Sequence, residues 1–167
     1  MSLGASMLPE FDQEMAATRR VLERVPADRF GWRPHAKSWT MGELAAHLAN
    51  IPSWTSVTVE QDSFDMSPAG GPPPRTPPAA SPAEALIRFD TNVAAARAVL
   101  TAARDATLLS PWTLLAAGSA VFSLPRVVVL RRFVVSHGVH HRAQLGLYLR
   151  LNDIPVPNIY GPTADET

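Results

Sequence analysis

Apolar residues recur every three or four positions in four stretches of the chain, which is the spacing of one face of an α-helix. The four stretches cover residues 8–25, 40–54, 81–103 and 125–148. In the first of them, Thr18 is the only polar residue on the apolar face. No stretch alternates apolar and polar residues in the way that is typical of a strand. The pattern therefore predicts an all-α fold, with a four-helix bundle as the default architecture.

The second predicted helix has a strong start signal. Thr40 and Glu43 have the spacing of a capping box, and Trp39 and Leu44 have that of a hydrophobic staple. Pro52 lies inside the same helix, and a proline at that place predicts a kink.

Residues 68–82 hold seven prolines and two glycines, so we expect an exposed, partly extended loop there. This loop joins two predicted helices, and we therefore predict a single domain over 1–167. Residues 1–5 can include a cloning remnant and carry no weight in the fold argument. The segment with Trp112 and Gly118 is predicted to be another loop. We expect Trp54 and Trp112 to be core residues or to line a cavity.

The composition limits the class of protein. The 15 basic and 15 acidic side chains cancel, which argues against broad electrostatic binding of nucleic acid. The chain has no cysteine, so it has no disulfide, thiolate metal site or cysteine nucleophile. No signal peptide or membrane span is visible, and we expect a cytoplasmic protein with no membrane partner. The arginines of the last helix are interpreted as a solvated face: Arg126, Arg131, Arg132, Arg142 and Arg150.

Three of the five histidines lie close together in the last helix. His137 and His141 are four residues apart, so their imidazoles lie on one helix face and can bind one metal ion. His137 and His140, three apart, can chelate as well, although the apolar stripe favours His141. His47 lies on the inward face of the second helix, where a hydrogen-bonded core histidine is the common alternative to a ligand. His35 is expected at the surface.

Two motifs carry a family resemblance. The run from Trp32 to Leu48, with Lys37-Ser-Trp-Thr-Met-Gly-Glu-Leu-Ala-Ala-His47 inside it, resembles the first signature of the DinB/YfiT-like metalloenzymes. The run His137-Gly-Val-His-His-Arg-Ala-Gln144 resembles the second, which has glycine where this chain has Ala143. The tail from Val156 to Glu166 is similar to that of one branch of the family.

The resemblance implies a four-helix bundle with up-down-down-up topology. It also implies a divalent metal ion, such as Zn, Ni or Fe, bound by His47, His137 and His141. His140 is then a neighbouring residue. Relatives of this kind use an external low-molecular-weight thiol such as bacillithiol, mycothiol or glutathione, which suits a chain without cysteine.

We therefore expect a metal-dependent enzyme that transfers a small electrophilic substrate to a thiol. Three histidines leave one position on the metal open for this chemistry. Arg33, Arg75 or Arg142 can steer an acidic thiol cofactor, although surface charge is the simpler interpretation of each. A homodimer is also plausible for a bundle of this size.

Two alternatives stay open. A metal-dependent hydrolase needs a general base, and Glu43 is the nearest candidate, although its capping role explains it better. Asp90 and Glu84 lie on a facing helix without a clear place in a site. A non-catalytic, metal-stabilised ligand-binding bundle needs a fourth protein ligand, for which the tail offers Tyr160 or Asp165.

Overall fold

The computed structural model describes residues 2–68 and 77–166, and this part of the chain is mostly helical. Residues 69–76, which form most of the predicted proline-rich loop, lie outside it. The helices are α1 (Leu3–Leu22), α2 (Met41–Asn50), α3 (Trp54–Glu60), α4 (Pro82–Ala102), α5 (Asp105–Leu109), α6 (Arg126–Leu130) and α7 (His137–Arg150), and the strands are β1 (Ser63–Asp65), β2 (Pro111–Ala116) and β3 (Ser119–Pro125). None of the described helices combines the length and apolar character needed to cross a bilayer.

The predicted helix signals are present. The Thr40 side chain accepts from the Glu43 backbone N–H, and the Glu43 carboxylate accepts from the Thr40 N–H, which completes the capping box. Pro52 lies in a 3₁₀ turn between α2 and α3, so the α-helix is interrupted at the place where the kink was predicted. Helix α1 begins earlier than its apolar stripe indicates, at Leu3, where the Ser2 hydroxyl accepts from the Ala5 N–H.

Ion pairs between α1 and its two neighbours give the directions of these helices. The pairs are Arg19–Asp90 and Arg97–Asp12 between α1 and α4, and Arg131–Glu10 and Arg142–Glu14 between α1 and the last helical segment. Residue numbers run in opposite directions in the first set and in the same direction in the second. Helix α4 is therefore antiparallel to α1, and α7 is parallel to it.

Helix α2 packs between α4 and α7, across from α1. Trp39, just before α2, stacks on His141, and Ile51, just after it, lies against Gly138, so α2 runs antiparallel to α7. The four long helices thus follow the up-down-down-up order. Their shared core contains the residues predicted from the periodicity, among them Phe11, Leu44, Phe89 and Leu145.

The expectation of a purely helical fold is wrong, because a three-stranded sheet packs beside the helices. Strand β2 pairs with β1 in parallel and with β3 in an antiparallel hairpin. Ala117 and Gly118 form the hairpin turn with positive φ angles of 49° and 76°, as a two-residue turn of type I′ requires. The Asp65 carboxylate accepts from both of their N–H groups and so ties β1 to the turn. Trp112, predicted in a loop, lies in β2.

Arg126 also departs from the prediction, because it is buried rather than solvated. All five of its N–H donors have partners. They are the carbonyls of Thr58, Gln61 and Pro111, the Ser110 hydroxyl and the Asp62 carboxylate. One guanidinium therefore joins the start of the last helical segment to the ends of α3 and α5 and the start of β2.

Candidate metal centre

His47, His137 and His141 come together between α2 and α7. One ring nitrogen of each lies within 4.8 Å of those of the other two. The Nε2 atoms of His47 and His137 are 2.8 Å apart. All three side chains are partly buried, so the cluster lies at the edge of the core, within reach of solvent and ligands.

The start of α2 is held in place where the chain folds back on Phe30. The Gly42 N–H donates to the Phe30 carbonyl at 2.8 Å. A Cβ at Gly42 would lie 2.6 Å from the Phe30 ring and 2.9 Å from its carbonyl oxygen. Only glycine allows this approach, which fixes the position of the start of α2, five residues before His47.

The histidines of α7 follow an irregularity in the helix. Residues Arg131–Ser136 form a π-helical turn between α6 and α7, and His137 is the first residue after it. Such turns are frequent at functional sites because they shift the side chains that follow around the helix axis. His137 and His141 then lie one α-turn apart and point to His47.

Gln144 and Trp39 orient the rings of the cluster. The Nδ1 atom of His141 lies 2.7 Å from the Gln144 Oε1 atom, so Nδ1–H donates and Nε2 keeps its lone pair. The Trp39 ring stacks on His141 at 5.5 Å and meets the His47 ring edge-on at 4.9 Å. The side chain of Trp39 is 46% exposed, so its place against the imidazoles adds to its predicted role as a staple. The spacing of Gln144, one helical turn after His141, is the sequence signal that could have predicted this contact.

The electrostatics keep the imidazoles neutral. Burial, with the neighbouring His141 and His137, lowers the pKa of His47 to about 4. Burial likewise lowers the pKa of His137 and of His141, against the Gln144 hydrogen bond that raises the latter. Neutral imidazole is the form that binds metal. Three convergent neutral nitrogens, one oriented by an amide, therefore fit a divalent first-row ion.

The other two histidines are outside the cluster. His140 is exposed, and its ring meets that of His141 edge-on with centroids 4.9 Å apart, but its nitrogens do not join the group, so the alternative pair of His137 and His140 is not the one that meets His47. The exposed His35 accepts from the Lys37 N–H in a surface turn, as predicted.

The carboxylates considered as a general base are engaged elsewhere. Glu43 caps α2, and hydrogen bonds from Thr40 lower its pKa. Asp90 pairs with Arg19, and Glu84 with Arg88. Among the described residues, no Asp or Glu joins the three histidines.

The tail residues considered as a fourth ligand also bind elsewhere. The Tyr160 hydroxyl donates to the Glu14 carboxylate, and Asp165 pairs with Arg150. Arg142, expected at the surface, is 3% exposed and lies in an ion pair with Glu14. It binds α1 and the tail and cannot steer a cofactor. Arg33 is exposed, and Arg75 lies outside the described residues.

The histidine cluster separates two concave surfaces. On one side is a cavity of about 220 Å³ whose lining includes His47 and His137, and Trp54 and Trp112 line it as expected. On the other side is a shallow groove lined by Lys37, Trp39, His141 and Gln144, among others. The sheet supplies much of the cavity wall, which sequence periodicity did not predict.

The fold and the site define a mostly helical protein with a three-histidine candidate metal centre between two of its long helices. The family model of the DinB superfamily matches residues 10–145, and the chain belongs to that superfamily.

Two proteins are similar to this chain over nearly its whole length. The uncharacterized protein YrdA of Bacillus subtilis (strain 168) is 24% identical over 162 residues, which cover 95% of this chain and 89% of YrdA. The crystal structure of a DinB-like protein from Bacillus cereus ATCC 10987 superimposes with a TM-score of 0.68 at 20% identity, covering 92% of this chain and 95% of that one. The second match shows the shared fold.

Proposed function

We propose that this protein is a metal-dependent enzyme that transfers a small electrophile to an external low-molecular-weight thiol. His47, His137 and His141 hold one divalent ion, with Zn, Ni and Fe as the candidates. A bound ion supplies a Lewis acid that lowers the pKa of a thiol and favours the thiolate. In the transfer, the sulfur–carbon bond forms as the bond from carbon to the leaving group breaks, and the thiol proton goes to solvent.

One observation carries this proposal: three neutral imidazoles converge beside a cavity, with no fourth protein ligand among the described residues. Structural zinc sites generally have four protein ligands, whereas catalytic sites keep one position open. In the described parts of the chain no uncommitted carboxylate lies near the cluster, which favours a thiol over water as the nucleophile, because such a carboxylate is the group that would activate water as a general base. The chain has no cysteine, so the thiol comes from outside.

The groove beside His141 is the proposed entrance for the thiol. Lys37 lines this groove and offers an ammonium group to a carboxylate of a thiol such as glutathione. Gln144 and Trp39 hold His141 so that its Nε2 faces the cluster. The apolar cavity on the far side is then free for the electrophile.

The test measures metal content by mass spectrometry on untagged protein, after reconstitution with Zn, Ni or Fe. Wild type is compared with His137→Ala and with the matched control His140→Ala, in which an exposed histidine outside the cluster is removed. We expect about one ion per chain in wild type and in His140→Ala, and none in His137→Ala. Metal retained by His137→Ala, or absent from wild type, would contradict the site.

Calorimetric titration of the same samples with glutathione, bacillithiol and mycothiol tests the second part. We expect one of these thiols to bind the metal-loaded protein and not His137→Ala. Metal binding without binding of any of the three thiols would overturn the transferase proposal.

A further inference from the structure

The cavity beside His47 and His137 is lined almost entirely by apolar side chains. Apart from these two imidazoles, its lining is made of apolar side chains, and no Asp, Glu, Lys or Arg lines it in the described parts of the chain. The aromatic part of this wall includes Trp54, Phe122 and Phe133. The Phe122 and Phe133 rings are stacked with centroids 5.4 Å apart.

The volume of the cavity sets the size of its guest. An apolar cavity of about 150 Å³ in another protein binds benzene. The present cavity, at about 220 Å³, therefore has room for a benzene ring with one small substituent. Aromatic rings on the wall favour an aromatic guest, since stacked and edge-to-face contacts add to the burial of apolar area.

Because no charged side chain among the described residues lines the cavity, we expect its ligand to be uncharged. A carboxylate or ammonium group placed there would lose its hydration without gaining an ion pair. A neutral group loses little. The polar groups on the wall are the imidazoles of His47 and His137 and the indole N–H groups of Trp54 and Trp112, and the buried Trp112 N–H has no partner in the described parts of the chain, so the wall suits a neutral guest with a substituent that accepts a hydrogen bond.

We infer that this cavity binds the uncharged, monocyclic aromatic group of the electrophile, with the reacting carbon next to the ring and beside His47 and His137. A benzylic halide has this shape. Sulfur bonds to the benzylic carbon, the halide leaves with the electron pair of the broken bond, and the thiol proton goes to solvent. The inference rests on the proposed function for the reaction, whereas the binding preference is a property of the cavity itself.

The test uses two unreactive probes of nearly equal shape, acetophenone and benzoate, which differ by a methyl group in place of a charged oxygen. Their binding to the full chain is measured without added metal, by calorimetry or ligand-observed NMR. We expect acetophenone to bind at least tenfold more tightly than benzoate, because only benzoate brings an unpaired charge into the cavity. Equal affinities, or no binding of acetophenone, would overturn the inference.

Variants then locate the binding. Leu114, a buried residue of β2, lines the cavity, and Leu114→Phe fills part of it. Met66 lies at the mouth with 38% exposure, so Met66→Trp obstructs the cavity without disturbing the core if the first variant fails to fold. Val121 is 55% exposed on β3 and is absent from the lining, which makes Val121→Trp the matched control.

We expect Met66→Trp to weaken acetophenone binding at least tenfold and Val121→Trp to change it less than twofold. Unchanged binding in Met66→Trp would overturn the inference. Because no metal is added, its failure can be told apart from failure of the proposed function. Acetophenone binding in a protein that takes up no metal would leave the cavity assignment standing and remove the transferase.

Discussion

Arg126 and Arg142 are both buried on the last helical segment, yet they are neutralised in different ways. Arg142 faces α1, and its partner Glu14 is itself only 8% exposed. Arg126 faces the sheet, and its acidic partner Asp62 is fully exposed. Most of the hydrogen bonds that Arg126 donates go to backbone carbonyls. The first is a buried ion pair and the second is a cation bound by neutral dipoles. We therefore expect the burial of the acidic partner, more than that of the arginine, to determine how much free energy of unfolding is lost when either arginine is replaced.

The difference also bears on the metal centre. Arg142 directly follows His141, and consecutive residues on a helix point about 100° apart. The Arg142 contacts with Glu14, Thr18 and Tyr160 therefore fix the rotation of α7, while His141 faces α2. Arg126 instead attaches the sheet, and with it part of the cavity wall, to α6, at the start of the last helical segment.

The largest effect is expected for Arg142→Met. This change leaves the Glu14 carboxylate buried without its cation, and breaking such a pair costs about 3–5 kcal/mol of the free energy of unfolding. Urea denaturation measures the loss. The double variant Glu14→Leu with Arg142→Met should recover part of it, because neither charge remains. The exposed Arg132→Met is the control and should change stability by less than about 1 kcal/mol. Equal losses in Arg132→Met and Arg142→Met would refute the comparison.

Arg126→Met should cost less, about 1–3 kcal/mol, because it leaves unpaired carbonyls but no buried charge. The same denaturation experiment measures it. A loss larger than that of Arg142→Met would reverse the order argued here.

Tyr160→Phe should cost about 1 kcal/mol, because its hydroxyl donates to Glu14 and accepts from Arg142. Burial, with the hydrogen bond to Glu14, raises the pKa of Tyr160 above its ordinary value of 10.0. The hydroxyl therefore contributes fully to the free energy of unfolding below pH 10, and this contribution decreases as the pH rises through the raised pKa. We expect the difference in stability between wild type and Tyr160→Phe to shrink above pH 10. A constant difference across that range would contradict this account.

The smallest effect is expected for Asp62→Asn. Its carboxylate is exposed to solvent, and ion pairs of that kind contribute little, so we expect a change of less than about 0.5 kcal/mol. Glu14→Gln, the matched change at the other arginine, should cost clearly more. Similar losses in these two variants would show that the burial of the partner does not set the cost.

The sequence predicted the helical part of this fold well because its signals are local. Helix α2 follows from a capping box within four residues, and the pairing of His137 with His141 follows from their spacing of one turn. The meeting of these two with His47 came from the family resemblance and from its inward place on α2. The structure brings the three together.

The sheet and the buried arginines escaped prediction because their determinants are distant in sequence or weak. Strand β1 has only three residues and pairs with residues of β2 that are fifty positions later. The hairpin turn is Ala117-Gly118 rather than the stronger Asn-Gly signal. Arg142 lies off the predicted apolar stripe, yet α7 packs against both α1 and α2, so it has two buried faces and a single stripe describes only one.

The π-helical turn at Arg131–Ser136 makes the site sensitive to a change of chain length rather than of chemistry. A π turn holds one more residue than an α turn, so loss of a single codon, such as that of the exposed Arg132, would let the segment close into a regular α-helix. His137 and His141 would then rotate by about 100° relative to α6 and turn away from His47. The one extra residue of the π turn therefore sets the direction in which His137 and His141 point. A relative whose sequence has a one-residue gap at this position is expected to lack the three-histidine cluster.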